Sequence, residues 1–221
     1  MAEQLTDQIT SELRFRSYRS LSRLFAYANE PGDVAAAAAA VEELAEALRG
    51  LQLDTGPSLL HAKDWLAAGT GEEVFQRLRV DYTRLFVNAY PKVPAPPYGS
   101  VYLDDGYVWG KSTVDVLEMY QAYGLEPLAS FQEPPDHVGA EFEFMAYLAG
   151  AALDGKKDSP RARDGQRAFF QQHLGRWFAA FLHRVQQHDP GGFFGSVATA
   201  ARAFLEKEAE FLAEKEGGGV S

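Results

Sequence analysis

The sequence predicts an all-α fold, a helical bundle of about eight or more helices joined by short connections. Three observations favour this class. Apolar residues recur at three- and four-residue steps through most of the chain, which is the period of an amphipathic helix. No stretch has the strict apolar–polar alternation that is typical of a half-buried strand. Most of the glycines and prolines fall between the periodic segments, where they end helices.

The first part of the chain is predicted to hold four helices. The first helix carries an apolar stripe over residues 5–28, and Asp33 can cap the second helix after a Pro-Gly turn. The six alanines of that second helix are typical of high helix propensity rather than of a membrane-lying face. Gly56 and Pro57 open the third helix, and the fourth covers residues 72–88.

The remaining helices follow a long irregular loop at residues 89–111, which is rich in proline and aromatic residues. Its aromatic content argues against disorder. Residues 112–115 resemble a capping box that would open the next helix. The predicted bounds of these helices are residues 112–123, 136–153, 161–187 and 193–214, with a disordered tail at residues 217–221.

The connector at residues 126–135 contains three prolines and is predicted to be a hinge. It would join a larger N-terminal part, residues 1–125, to a smaller C-terminal part, residues 136–216. A hinge of this kind also permits a domain-swapped dimer, so we expect a monomer or a swapped dimer.

Composition excludes several classes of function. The net charge of −10 disfavours nucleic-acid binding, because an acidic chain repels phosphate backbones. The chain has no cysteine, which excludes disulfides, thiolate metal sites and cysteine nucleophiles. The longest continuous apolar stretch of the C-terminal half has ten residues, whereas a membrane span needs about 20. No secretory signal is recognisable, so we expect a cytoplasmic protein without stable membrane insertion.

Motifs of catalysis and cofactor binding are weak or absent. There is no Glu-x-x-His pair for a di-iron site, no His-Glu-x-x-His zinc motif and no Gly-x-Ser-x-Gly elbow. Residues 106–112 look like a phosphate-binding loop but have one residue too few between the glycines. We therefore expect no metal and no cofactor, with weak nucleotide contact at this helix start as the remaining alternative.

An acidic segment lies between Lys111 and Lys156, where eight carboxylates occur without any lysine or arginine. In its middle, Asp136 can cap a helix, and His137 and Glu141 are four residues apart. Two interpretations remain open. Asp136 caps the helix that it begins and His137 pairs with Glu141 or a backbone carbonyl, or these groups line a site for a metal or an Arg or Lys side chain.

Seven aromatic side chains cluster within residues 82–109. They either pack the loop across the helices or form the wall of a groove that accepts an apolar peptide segment. An aromatic wall beside an acidic patch would suit a peptide with a basic part followed by an apolar part.

Four motifs occur in one order: Tyr-Thr-Arg-Leu-Phe at residues 82–86, the Pro-Tyr-Gly-Ser region at 94–102, Glu-Pro-Pro-Asp-His at 133–137 and His-Leu-Gly-Arg-Trp at 173–177. In this arrangement the chain resembles the TorD/DmsD/NarJ family of cytoplasmic chaperones for molybdenum enzymes. The resemblance covers roughly residues 14–211. The Glu-Pro-x-Asp-His element is its most specific part.

The resemblance implies an all-helical protein without catalytic activity. Such a protein binds the N-terminal leader of a molybdopterin oxidoreductase, often a twin-arginine signal peptide. It holds the apoenzyme for cofactor insertion and delays export. Some members bind GTP weakly. The residues that match the family's leader-binding and aromatic-proline motifs are Glu133, Pro134, Asp136, His137, Tyr82, Phe86, Pro97, Ser100 and Tyr102, and Glu141 is a further candidate.

A physical mechanism fits this implication, since a guanidinium group pairs bidentately with carboxylates. Glu133, Asp136, Glu141 or Glu143 could supply them, and an apolar stretch of the leader could lie against aromatic rings such as Tyr147. Two alternatives remain: a helical adaptor for an unrelated protein partner, and a metal- or nucleotide-dependent enzyme built on Asp136, His137 and Glu141.

Overall fold

The computed structural model describes residues 2–128, 131–153 and 159–214, and every regular element within these ranges is a helix. The predicted all-α class is therefore confirmed. The helices are α1 (Ala2–Leu24), α2 (Gly32–Gly50), α3 (Gly56–Ala67), α4 (Gly71–Tyr82), α5 (Gly99–Leu103), α6 (Lys111–Ala122), α7 (Val138–Leu153), α8 (Ser159–Phe169), α9 (Gly175–His188) and α10 (Phe193–Glu214). None of the helices in these ranges is long and apolar enough to cross a membrane.

One hydrophobic core is built around α1 and α7, which pack along each other, with α2 against α1 and α9 against α10. Tyr18 of α1 lies between Phe142 of α7 and Phe204 of α10, with ring centroids 6.2 and 4.8 Å away. The core thus includes residues on both sides of the connector at residues 126–135. The division into two parts at that connector stays a prediction.

Two of the predicted helices contain a π-helical segment. Thr83–Val87 continues α4, and Phe170–Leu174 joins α8 to α9, so each lies within one predicted helix. Such segments frequently occur at functional sites. In the predicted loop, residues 99–103 form the short helix α5.

The predicted capping box at residues 112–115 is wrong. The N-cap residue of α6 is Gly110, and no side chain caps the helix from that position. Instead, the Ser112 N–H donates to the Asp104 carboxylate at 2.8 Å, while Asp115 binds Lys111. A carboxylate from the preceding loop therefore takes the capping role that the sequence assigns to residues inside the helix.

A buried polar network joins α1, α8 and α10. Arg14 is only 4% exposed. Its guanidinium group donates to both carboxylate oxygens of Glu208 and to the Gln166 side-chain oxygen. The Tyr18 hydroxyl also donates to Glu208 at 2.9 Å. These charges lie in the interior, so the loss of either partner would leave the other charge buried and uncompensated.

Candidate functional site

The two most specific sequence motifs lie side by side. The Gly99 N–H donates to the Asp136 carbonyl at 2.9 Å, and the Val138 N–H donates to the Pro97 carbonyl at 2.8 Å. Tyr98 and His137 thereby form an isolated antiparallel bridge. Residues 97–100 and 133–138, which are far apart in sequence, are thus one structural unit.

Asp136 has no exposed surface, and its side chain caps a helix other than the one that follows it. Its Oδ2 accepts the Ser100 N–H at 2.7 Å, at the start of α5. The expectation that Asp136 caps its own helix is therefore wrong. A carboxylate is favoured at a helix N-terminus by the free N–H groups there, and the bridge brings α5 within reach.

His137 is buried and makes two hydrogen bonds that fix its ring. Its Nδ1 accepts the Gly139 N–H at 3.1 Å, so the neutral ring donates through Nε2 to the Tyr82 hydroxyl, also at 3.1 Å. Burial lowers the pKa of His137 to about 4, which leaves the ring neutral at pH 7. The partner of His137 is therefore neither Glu141 nor a backbone carbonyl, the two partners considered in one of the interpretations that the sequence left open.

Glu141 binds side chains of α9 and the π-helical segment before it. Its carboxylate, with no exposed surface, accepts from His173 Nε2 at 2.7 Å and from the Trp177 indole N–H at 3.1 Å. Burial raises the pKa of Glu141. Burial would lower the pKa of His173, but the Glu141 carboxylate outweighs this effect, and the net direction is upward.

Gly99 lies directly against this buried cluster. A Cβ at this position would lie 2.8 Å from His173 Nε2, 3.1 Å from Trp177 Nε1 and 3.2 Å from Glu141 Oε1. The site therefore needs a residue without a side chain here. The sequence signal for this requirement is the Pro-Tyr-Gly-Ser run, but nothing in it indicates which side chains Gly99 meets.

The remaining residues of the predicted site also face the interior to different degrees. Tyr82 and Phe86 are buried in edge-to-face contact, with ring centroids 4.9 Å apart. Tyr102 stacks on Trp177 at 5.4 Å. Glu133 is half-buried and accepts a hydrogen bond from the Tyr98 hydroxyl at 2.7 Å. Burial, together with this bond, raises the pKa of Tyr98.

The structure thus brings the predicted site residues together but places most of them inside the protein. Pro97, Ser100 and Pro134 are also buried. That these side chains themselves contact a leader peptide stays a prediction. In this conformation they hold the fold of the region, and the surface beside them comes from other residues.

That surface is a groove between α7 and the connector that precedes the Glu-Pro-Pro-Asp-His motif, with a volume of about 240 Å³. We call it the α7 groove. Two exposed carboxylates, Glu126 and Glu143, lie among apolar side chains, and Leu128 and Tyr147 are 75% and 43% exposed. The described lining contains no lysine or arginine; it consists of Tyr120, Leu125, Glu126, Pro127, Leu128, Phe131, Pro135, Ala140, Glu143, Phe144 and Tyr147.

The sequence indicates only half of this groove. Glu143, Phe144 and Tyr147 are recognisable as carboxylate and aromatic candidates on one helix. The connector side is not recognised, because its prolines indicate a hinge. The available signal is the presence of the apolar residues Leu125, Leu128 and Phe131 among those prolines.

Metal binding and nucleotide binding are the two other kinds of site that the sequence left open. Across the ranges that it describes, no group of three or more His, Asp or Glu side chains is arranged to hold an ion. At the start of α6, the Ser112 N–H binds Asp104, and Lys111 pairs with Asp115 at 2.8 Å. Two groups that could meet a phosphate there are thus already engaged. The expected absence of a cofactor stays a prediction.

Comparison with known proteins decides the family. The family model described as nitrate reductase delta subunit matches residues 30–183. The chain belongs to this family. The predicted resemblance to the TorD/DmsD/NarJ chaperones is thereby confirmed.

Several proteins with chaperone names are similar to this chain. The chaperone protein TorD of Vibrio cholerae is 32% identical over 139 residues, which are 62% of this chain and 63% of that protein. TorD of Photobacterium profundum is 31% identical over 151 residues, 66% and 69% of the two chains. The chain thus spans less than two thirds of the length of the Vibrio protein. Both relatives are chaperones by name, which agrees with the prediction that the chain is not an enzyme.

A solved structure is also similar to this family member, over most of the length of both chains. It is a chain from Archaeoglobus fulgidus whose title assigns it to redox enzyme maturation. It is 27% identical, has a TM-score of 0.58, and the match covers 87% of this chain and 93% of that one. This likeness extends the match well beyond the segment shared with the Vibrio protein.

Proposed function

We propose that this protein is a maturation chaperone that binds the N-terminal leader of a molybdopterin oxidoreductase catalytic subunit. It acts in the cytoplasm as a monomer or a swapped dimer, holds the apoenzyme for cofactor insertion and delays export until the enzyme is mature. The names of the relatives support the chaperone role. The observation that carries the leader-binding part is the α7 groove, an apolar surface with two exposed carboxylates.

The chemistry of the groove suits a segment that has a basic part followed by an apolar part. Tyr147 is four residues from Glu143 and three from Phe144, so its ring lies next to both of them on α7. A guanidinium group of the leader pairs with Glu126 or Glu143, and its aliphatic side chains pack on the rings. A twin-arginine leader combines both features.

The buried motif residues act by positioning this groove. The Pro135 carbonyl accepts the Tyr120 hydroxyl at 2.9 Å, which fixes one wall. Asp136 and His137, directly after it, are held by Ser100 and Tyr82. The Glu-Pro-Pro-Asp-His segment therefore determines how the connector is held against α6 and where it enters α7. Its link to leader binding then does not require direct contact by every motif residue.

Removing the two groove charges should weaken leader binding. We expect the double variant E126Q/E143Q to bind a fluorescent twin-arginine leader peptide at least tenfold more weakly, because a charged hydrogen bond contributes about 1.5–3 kcal/mol and 1.4 kcal/mol is tenfold. The remaining affinity should depend less on salt. Fluorescence anisotropy at two ionic strengths measures both effects.

The matched control is E72Q/E118Q, which makes the same change in net charge at exposed positions outside the α7 groove. We expect it to bind the peptide as the wild type does. Equal binding by E126Q/E143Q and the wild type would contradict the groove assignment. Failure of the wild type to bind any leader, with capture of an unrelated protein instead, would favour the adaptor alternative.

A further inference from the structure

A small recess lies where α1, α7, α8 and α10 meet and has no lining residue in common with the α7 groove. Its volume is about 30 Å³. We call it the arginine recess. Its polar lining comes from Ser11 and Arg14 of α1 and from Arg163, Gln166 and Arg167 of α8, and Phe211 of α10 forms an apolar side.

The recess is basic although the chain as a whole carries a net charge of −10. Three arginines line it, and no carboxylate belongs to its described lining. The nearest acidic partner in the hydrogen-bond network is Glu208, which is bound to Arg14. The local excess of positive charge is therefore carried by Arg163 and Arg167.

Several donors of the recess are not engaged. Arg163 and the Ser11 hydroxyl have no hydrogen bond or ion pair in the part of the chain that the structure describes. In the same part, Arg14 uses Nε and Nη2 but not Nη1, and Arg167 uses only Nε, which donates to the Leu212 carbonyl at 3.2 Å. Gln166, 1% exposed, binds Arg14 and the Leu148 carbonyl and so fixes the floor.

The position of the two outer arginines also favours an anion between them. Arg163 and Arg167 are four residues apart on α8, and like charges at this spacing destabilise a helix. A bound anion would offset this repulsion and accept the free guanidinium donors. Since a cavity needs only about 10–15 Å³ to hold one water, 30 Å³ has room for a small oxyanion but not for a nucleotide base.

We propose that the arginine recess binds a phosphate group. Arg163 and Arg167 hold two of its oxygens, the Ser11 hydroxyl donates to a third, and Arg14 supplies a buried positive wall. This site is independent of leader binding at the α7 groove. The source of the phosphate group is a soluble molecule, because the acidic protein surface disfavours approach to anionic lipid headgroups.

Titration of the full chain with inorganic phosphate, at constant ionic strength in chloride, tests the site by calorimetry. We expect saturable binding of one phosphate per chain. In R163Q/R167Q the affinity should fall at least tenfold, whereas R23Q/R176Q, with two exposed arginines outside the recess, should bind as the wild type does. Circular dichroism of both variants checks that the helical fold is intact.

Two outcomes would overturn the proposal. One is the absence of saturable binding in the wild type, and the other is equal affinity in the wild type and R163Q/R167Q. Flotation with phosphatidic acid vesicles tests the source. Binding to these vesicles that R163Q/R167Q loses would overturn the soluble source, and no vesicle binding is the expected result.

Discussion

Replacing Glu141 with alanine is expected to lower the free energy of unfolding by about 3–5 kcal/mol, the effect of removing one partner of a buried charged pair. The carboxylate has no exposed surface and accepts from both His173 and Trp177. Without it, a buried imidazole and a buried indole N–H lose their acceptor. Urea unfolding followed by circular dichroism at 222 nm measures the change.

Glu143, two residues further along α7, provides the matched control. It is exposed, and no hydrogen bond or ion pair to it occurs in the described ranges. We expect E143A to change the unfolding free energy by less than about 0.5 kcal/mol. The variant E141Q should fall between the two, because its amide oxygen still accepts from one neighbour. If E141A were as stable as E143A, the buried cluster would not stabilise the fold.

The second large effect is expected at Arg14. Replacement by methionine leaves the Glu208 carboxylate buried and should cost about 3–5 kcal/mol, whereas R14M/E208M removes both charges and should recover most of that loss. The exposed pair Lys63–Glu42 is the control, since K63M should unfold at nearly the same urea concentration as the wild type.

A double-mutant cycle of R14M, E208M and the combined variant measures the coupling between the two charges. We expect the combined variant to be more stable than R14M alone. Additive losses, with the combined variant the least stable of the three, would show that Arg14 and Glu208 act independently. The interaction between these two charges would then contribute nothing to the free energy of unfolding.

The helices were predictable because each amphipathic stripe follows from local periodicity. The π-helical segments at Thr83–Val87 and Phe170–Leu174 were not, because one extra residue per turn leaves the apolar pattern nearly unchanged. The short helix α5 was not predictable either. It depends on Asp136, whose carboxylate arrives from 36 residues away.

The candidate site illustrates a similar limit. The spacing of His137 and Glu141 suggested a helical pair, but α7 begins only at Val138, so His137 does not share its face. The partners that the two residues do have are Tyr82 and His173, at separations of 55 and 32 residues. Sequence spacing cannot indicate such contacts. The run of carboxylates was recognisable in the sequence. Which of these carboxylates are buried depends on tertiary packing.

Photo-crosslinking tests most directly whether the α7 groove holds the leader peptide. The full chain would carry p-benzoylphenylalanine in place of Tyr147, which lines the groove, or of Tyr107, which is exposed outside it. Each would be irradiated with a leader peptide and analysed by mass spectrometry. We predict a cross-link from position 147 that excess unlabelled leader abolishes, and none from position 107. Cross-linking from position 107 but not from 147 would contradict the account.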